Sequence, residues 1–232
     1  MTTEIYDVKY IKLRDWIPLD KLNWSMLSRN PNAIHILEKN LDKVDWYWLF
    51  KNPNAIQILE KNLDKVDWFH LDNVDWFHLS SNPNAIPILE KNLDKLTTKC
   101  WKYLSENPNA IPILEKNLDK VDWAMLSYNL NAIPILEKNL DKVDWATLSR
   151  NPNAIPILEQ NLDKVDWAML SDNPNAIQIL EKNLDKVDWE TLSRNPNAIP
   201  ILEKNLDKVD YWMCFYWNPN AIQILEKNLD KC

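Results

Sequence analysis

The sequence predicts an all-α protein, an α-solenoid of about nine short two-helix repeats. Three observations predict it: a unit of about 22 residues recurs along the chain, its apolar positions fall at helical spacing, and no stretch alternates with the period of a strand. The tetrad Asn-Pro-Asn-Ala begins at Asn30, Asn52, Asn82, Asn107, Asn151, Asn173, Asn195 and Asn218. Asn129 opens a further copy in which Leu130 replaces the proline. The full unit reads N-P-N-A-I-x-I-L-E-K-N-L-D-K-V-D-W-x-x-L-S-x.

The uninterrupted copy at 151–172 shows how each element should form. Two starts are open to the first helix, Asn151 followed by Pro152, or Asn153. Asn is a good N-cap, and proline is tolerated in the first turn because its missing N–H would be unpaired there. Pro156 favours Asn153, which places it at the third helical position. The helix should reach about Gln160, and Asn161 should then take the left-handed conformation that glycine usually supplies. Such a device is needed, because the chain contains no glycine. A second, shorter helix, in part 3-10, should follow Asp166 as N-cap and carry Trp167 and Leu170. Ile155, Leu158 and Leu162 form its partner's apolar stripe. Neither helix is long enough to stand alone, so each must bury its stripe on the neighbouring repeat.

Residues 1–29 read as an N-terminal cap with a partial repeat, in which Trp16 and Ile17 cover the first full unit. Residues 30–232 read as one solenoid domain. Its irregular zone is 64–105. There the half-unit 64–71 is duplicated at 72–79, which should insert a short helix or a bulged loop. Three more residues enter before Trp101, and Cys100 takes the place of the capping Asp. The sequence stops at Cys232, halfway through a unit, so the last helix should keep an uncovered apolar face.

Composition removes several function classes. A net charge of −7 argues against nucleic acid or an anionic membrane as partner. The absence of glycine excludes the Walker and dinucleotide-binding loops, and no other cofactor motif is present. Cys100, Cys214 and Cys232 match neither a disulfide framework nor a zinc pattern and fit a reducing, cytoplasmic compartment. Residues 1–10 lack the apolar core of a signal peptide, and no apolar run approaches the roughly 18 residues of a membrane span.

The repeat unit, with its lead-in Ile11-Lys12-Leu13-Arg14-Asp15-Trp16-Ile17-Pro18-Leu19-Asp20, resembles the short-repeat proteins encoded in many copies by giant viruses of amoebae, the mimivirus and megavirus group. The resemblance extends from about residue 11 over almost the whole chain. It implies an α-helical repeat fold and a viral protein in the host cytoplasm. It implies no activity and no site residues.

The framework Trp series is Trp24, Trp46, Trp68, Trp76, Trp101, Trp123, Trp145, Trp167, Trp189 and Trp212. One identical large residue per repeat is what packing demands, so the series should be core. Binding residues of a solenoid are instead sought where copies differ. Those positions carry Tyr47, Trp48, Phe69, Phe77, Tyr103, Tyr216 and Trp217, which become the candidate partner-binding residues. His70 and His78 are copies of one position, so no metal site is assigned to them. No catalytic constellation stands above the repeat background, and no enzyme is expected. The last copy is aromatic at Tyr211, Trp212, Phe215, Tyr216 and Trp217 and apolar at Ile222 and Leu225. It predicts a two-fold homodimer through the C-terminal repeat, with Cys232 nearby. The expected function is a non-enzymatic solenoid that binds or scaffolds a protein partner; the alternative is a viral structural or self-assembling component.

Overall fold

A computed structural model of the chain describes residues 17–62, 74–209 and 212–228. Every regular element among them is helical, and no strand occurs among the described residues. The tetrad folds first, as a turn. Asn151 accepts the Ala154 N–H on its backbone carbonyl at 3.1 Å and the Asn153 N–H on its side-chain oxygen at 2.9 Å. Asn at the first position and Pro at the second are the residues this turn favours. The first helix therefore begins one step later than expected. It spans Ile155–Glu159, with Ala154 rather than Asn153 at the N-cap and Pro156 inside the first turn.

At four of the positions equivalent to Asn161 the helix ends without a left-handed residue, which corrects the expectation there. Asn40, Asn92, Asn205 and Asn228 have φ of −138°, −137°, −137° and −133°. The asparagine works through its side chain instead. The Asn161 Nδ2 donates to the Ile157 carbonyl at 2.8 Å, and its backbone N–H donates to Leu158 at 3.1 Å. The amide satisfies one carbonyl at the helix end that glycine geometry would satisfy with backbone alone. That removes the need for positive φ at this position.

The second helix, Trp167–Asp172, is α-helical and is capped by Asp166, whose side chain accepts the Met169 N–H at 2.9 Å. Asp45, Asp122, Asp144 and Asp188 cap their helices in the same way. In the partial N-terminal unit Asn23 does so for Trp24–Arg29. In the irregular zone the pattern shifts. Thr97, not Cys100, sits at the N-cap of Thr98–Glu106, and Cys100 is buried inside that nine-residue helix. The three added residues thus lengthen a helix at its start. Of the duplicated half-units, 64–71 and the first two residues of 72–79 lie outside the described residues, and from Val74 the second half-unit forms the helix Val74–Ser81.

Side-chain amides tie the repeats together. Asn173, fully buried, donates from Nδ2 to the Ser149 carbonyl at 2.9 Å and to the Asn151 carbonyl at 3.1 Å. Asn175 reaches the Pro152 carbonyl at 3.0 Å. A second link runs through serine: Ser149 donates its hydroxyl to the Trp145 carbonyl at 2.7 Å and accepts the Asp166 N–H at 3.0 Å. The polar ladder persists past the duplication, where Asn82 donates to the Asn52 carbonyl at 3.4 Å and Asn84 to that of Pro53 at 3.0 Å.

The apolar core is aliphatic. Leu148, Ala154, Ile157, Leu158 and Val165 are buried in the regular copy. The framework Trp residues depart from expectation. Trp76 and Trp101 are buried, but Trp24, Trp46, Trp123, Trp145, Trp167 and Trp189 are half-buried. Each of these except Trp46 lies under the ammonium of the next repeat's lysine, as Lys164 lies over Trp145 at 5.1 Å. The indole thus closes the seam between repeats from outside, with a cation across its face. Trp68 is outside the described residues.

The chain divides into two compact units, Met1–Ile113 and Leu114–Cys232. The first contains the duplication and the lengthened helix; the second contains the uninterrupted copies.

Candidate aromatic binding surface

In the regular copies the first position after the framework Trp and the one before Asn-Pro-Asn lie on the outer side of the second helix. The i+4 spacing that buries Leu148 and Ser149 leaves Ala146 and Arg150 exposed in the regular copy. In the first unit the slots after Trp46, Trp76 and Trp101 hold rings, and the fold brings them into one row. Trp48 meets Tyr47 edge-on at 5.2 Å between centroids. Tyr47 meets His78 of the helix Val74–Ser81 at 5.2 Å, and His78 meets Phe77 at 4.8 Å. Phe77 meets Tyr103 at 4.2 Å with planes 85° apart. Edge-to-face geometry of this kind adds to simple area burial.

Cations border the row. Lys51 Nζ lies 4.2 Å from the Tyr47 ring centroid and 4.8 Å from that of Trp48, and it donates to the Tyr47 hydroxyl at 2.9 Å. Arg29 covers Trp48 at 5.1 Å, and Lys99 covers Phe77 at 4.5 Å. The Lys51 and Arg29 heads stand one repeat apart at equivalent positions, 22 residues apart in sequence. Among the described residues none of these three cations has a carboxylate within ion-pair distance.

Of the candidate partner-binding residues, the fold joins Tyr47, Trp48, Phe77 and Tyr103 in this row. Phe69 lies outside the described residues. Tyr216 and Trp217 belong to the other unit. Sequence reasoning left out the basic members of the surface. Arg29 and Lys51 occupy the slot before Asn-Pro-Asn in consecutive copies, which is the signal that could have found them.

The last repeat also departs from its expected form. Its second helix is a 3-10 helix, Trp212–Trp217. Phe215 stands in the framework leucine position and is fully buried within its own unit, so it is not a surface for a second copy. Tyr216, Trp217 and Ile222 are exposed at 61%, 79% and 58%, while Leu225 is half-buried. Tyr211 and Cys232, and the side chain of Trp212, lie outside what the structure describes. Cys214 is buried, and desolvation, with the nearby Glu190 and Asp188 carboxylates, pushes its thiol up against the lowering effect of Arg194.

Shallow depressions recur at matching framework positions. Glu38, Leu41, Ile58, Lys61 and Asn62 line one, and Glu115, Leu118, Ile135, Lys138 and Asn139 line its equivalent in the second unit. They are products of the repeat and not of a special site. No group of three or more metal-ligating side chains occurs among the described residues, and no helix among them is long and apolar enough to cross a membrane. Compared with family models, with curated proteins and with solved structures, the chain matches none.

Proposed function

We propose that this chain is a non-enzymatic binding solenoid whose first unit offers the row from Trp48 to Tyr103 to a protein partner. The observation that carries the reading is the row itself. Five variable positions from three consecutive copies, Trp48, Tyr47, His78, Phe77 and Tyr103, hold rings that touch in sequence, bordered by cations with no carboxylate at ion-pair distance among the described residues. Aromatic side chains and arginine are the residues that dominate binding energy at protein interfaces. Framework positions need only repeat, so side chains that vary at the surface are free to serve recognition. The resemblance of the repeat unit to short-repeat proteins of giant amoeba viruses favours a viral protein of the host cytoplasm, where Cys100 and Cys214 remain thiols.

A photo-crosslinking residue at Tyr103 tests the reading against the same residue at Ala146, the neighbouring slot in a regular copy. The expected result is a discrete adduct from the Tyr103 position, absent from the Ala146 position and lost when Trp48→Ala is added. Equal adducts from both positions would remove the row as the binding surface.

A second reading has its own observation. The exposed Tyr216, Trp217 and Ile222 flank the Asn218 tetrad, on either side of the junction between the last two copies, and clustered exposed apolar groups mark association surfaces. They favour self-association through the last repeat, as a homodimer or a self-assembling component. Multi-angle light scattering of the full chain tests it. A monomer at micromolar concentration, unchanged by Trp217→Ser, would eliminate this reading.

A further inference from the structure

Resting on the assignment of the row as the binding surface, the geometry points to one class of occupant: we propose that the row takes an extended acidic segment whose carboxylates recur about every third residue. Two observations select this chemistry. The first is that the ring faces are already covered. Arg29 and Lys51 lie over Trp48, Lys51 also lies over Tyr47, and Lys99 lies over Phe77. A nucleic-acid base would need those faces for stacking and would have to displace the cations. A carboxylate needs only the outward N–H groups of the same cations, and it is bound by them without moving a ring. The chain's own net charge of −7 further disfavours a polyanion of high charge density.

The second observation is register. Arg29 and Lys51 occupy the same slot in consecutive repeats, so they are separated by one helix layer, about 8–10 Å. An extended chain advances about 3.3 Å per residue, so that spacing is met by acidic residues about three apart. Lys99, on the lengthened helix Thr98–Glu106, continues the basic border at the other end of the row. Glu106, exposed at the end of that helix, would repel an acidic chain that ran further and so limits the site. Between the cations the ring edges of Trp48, Phe77 and Tyr103 would contact the methyl or methylene groups of the intervening residues.

Fluorescence anisotropy with the full chain and a labelled, capped peptide of repeated Thr-Thr-Asp tests the proposal. Comparison peptides are repeated Thr-Asp of equal charge, repeated Thr-Thr-Lys, and labelled oligothymidylate. Thr-Thr-Asp should bind best and weaken with salt. Each of Arg29→Gln and Lys51→Gln should weaken it about tenfold, the loss of one charged hydrogen bond. Lys208→Gln, which uncovers Trp189 in the second unit, should leave binding unchanged. Equal binding of the two acidic peptides would overturn the register. Tighter binding of Thr-Thr-Lys or oligothymidylate, lost in the Lys51→Gln variant, would overturn the acidic occupant and leave the binding surface standing. If none of the probes binds and Tyr103 gives no cross-link, the surface assignment itself fails.

Discussion

The positions that follow the framework Trp read Ala124-Met125, Ala146-Thr147, Ala168-Met169, Glu190-Thr191 and Met213-Cys214 in the second unit. In the first they read Ser25-Met26, Tyr47-Trp48, Phe69-His70, Phe77-His78 and Lys102-Tyr103. Ladder bonds of one kind lie beneath both. Asn52 and Asn173 each donate to carbonyls 24 and 22 residues earlier, at 2.9 and 3.1 Å in either case. Holding the repeats together therefore makes no demand on the outer slots. The fold is carried by buried amides, serines and aliphatic side chains, and the outer slots are left open to recognition. The first unit differs in a further respect: its irregular copies have buried Trp76 and Trp101, where the second unit keeps Trp123, Trp145, Trp167 and Trp189 half-buried.

That contrast gives the largest expected effect. Trp101→Ala should cost about 3–5 kcal/mol, as for other buried Trp truncations. Trp145→Ala should cost about 2 kcal/mol, since it removes a partly covered ring and one cation–π contact. Urea unfolding of the two variants checks the difference, and equal losses would place Trp145 in the core after all. Next in size is the ladder. Asn173→Ala should cost about 3 kcal/mol, because two buried carbonyls lose their donor. Asn82→Ala, beside the duplication, should cost about half that, because Asn82 makes one ladder bond at 3.4 Å. Smaller still is the serine link. Ser149→Ala strands the Asp166 N–H and should cost about 1 kcal/mol. Ser80→Ala should cost about 0.5 kcal/mol, since the Ser80 hydroxyl donates to Trp76 while Cys100 has replaced the Asp of the next copy. Amide hydrogen exchange at Asp166 gives an independent reading of the Ser149 link.

The repeat, its two helices and the Asp caps were legible in the sequence, because period, apolar spacing and capping residues are local signals. The tetrad turn was legible in its residues, yet Pro156 drew the helix start to the wrong asparagine, since proline is equally at home at the second helical position. Asn161 misled for a related reason. Asparagine serves either as a left-handed residue or as an amide donor, and only the backbone geometry separates the two. The ladder was invisible because it joins residues 22–24 apart, and a strictly repeated Asn or Ser looks the same whether it bonds within its copy or to the next. The Trp series looked like core because repetition signals structure; it does not signal depth. At the candidate site, the rings stood out as variable residues. Their meeting in one row depends on how the helices on either side of the irregular spacing stack, and sequence alone does not decide that.

The central claim is that framework and outer face are separable. It is tested most directly by giving the first unit the plain face of the second, through Tyr47→Ala, Trp48→Met, Phe77→Ala and Tyr103→Met together, and following urea unfolding of the full chain by far-UV circular dichroism. Tyr47 is 38% exposed, and the other three rings are half-buried at the surface. The account predicts a folded chain with the same cooperativity and a total loss of about 2 kcal/mol or less, smaller than that of Asn173→Ala alone. A loss of more than about 4 kcal/mol, or a first unit that no longer unfolds cooperatively, would contradict it and make the aromatic row part of the core.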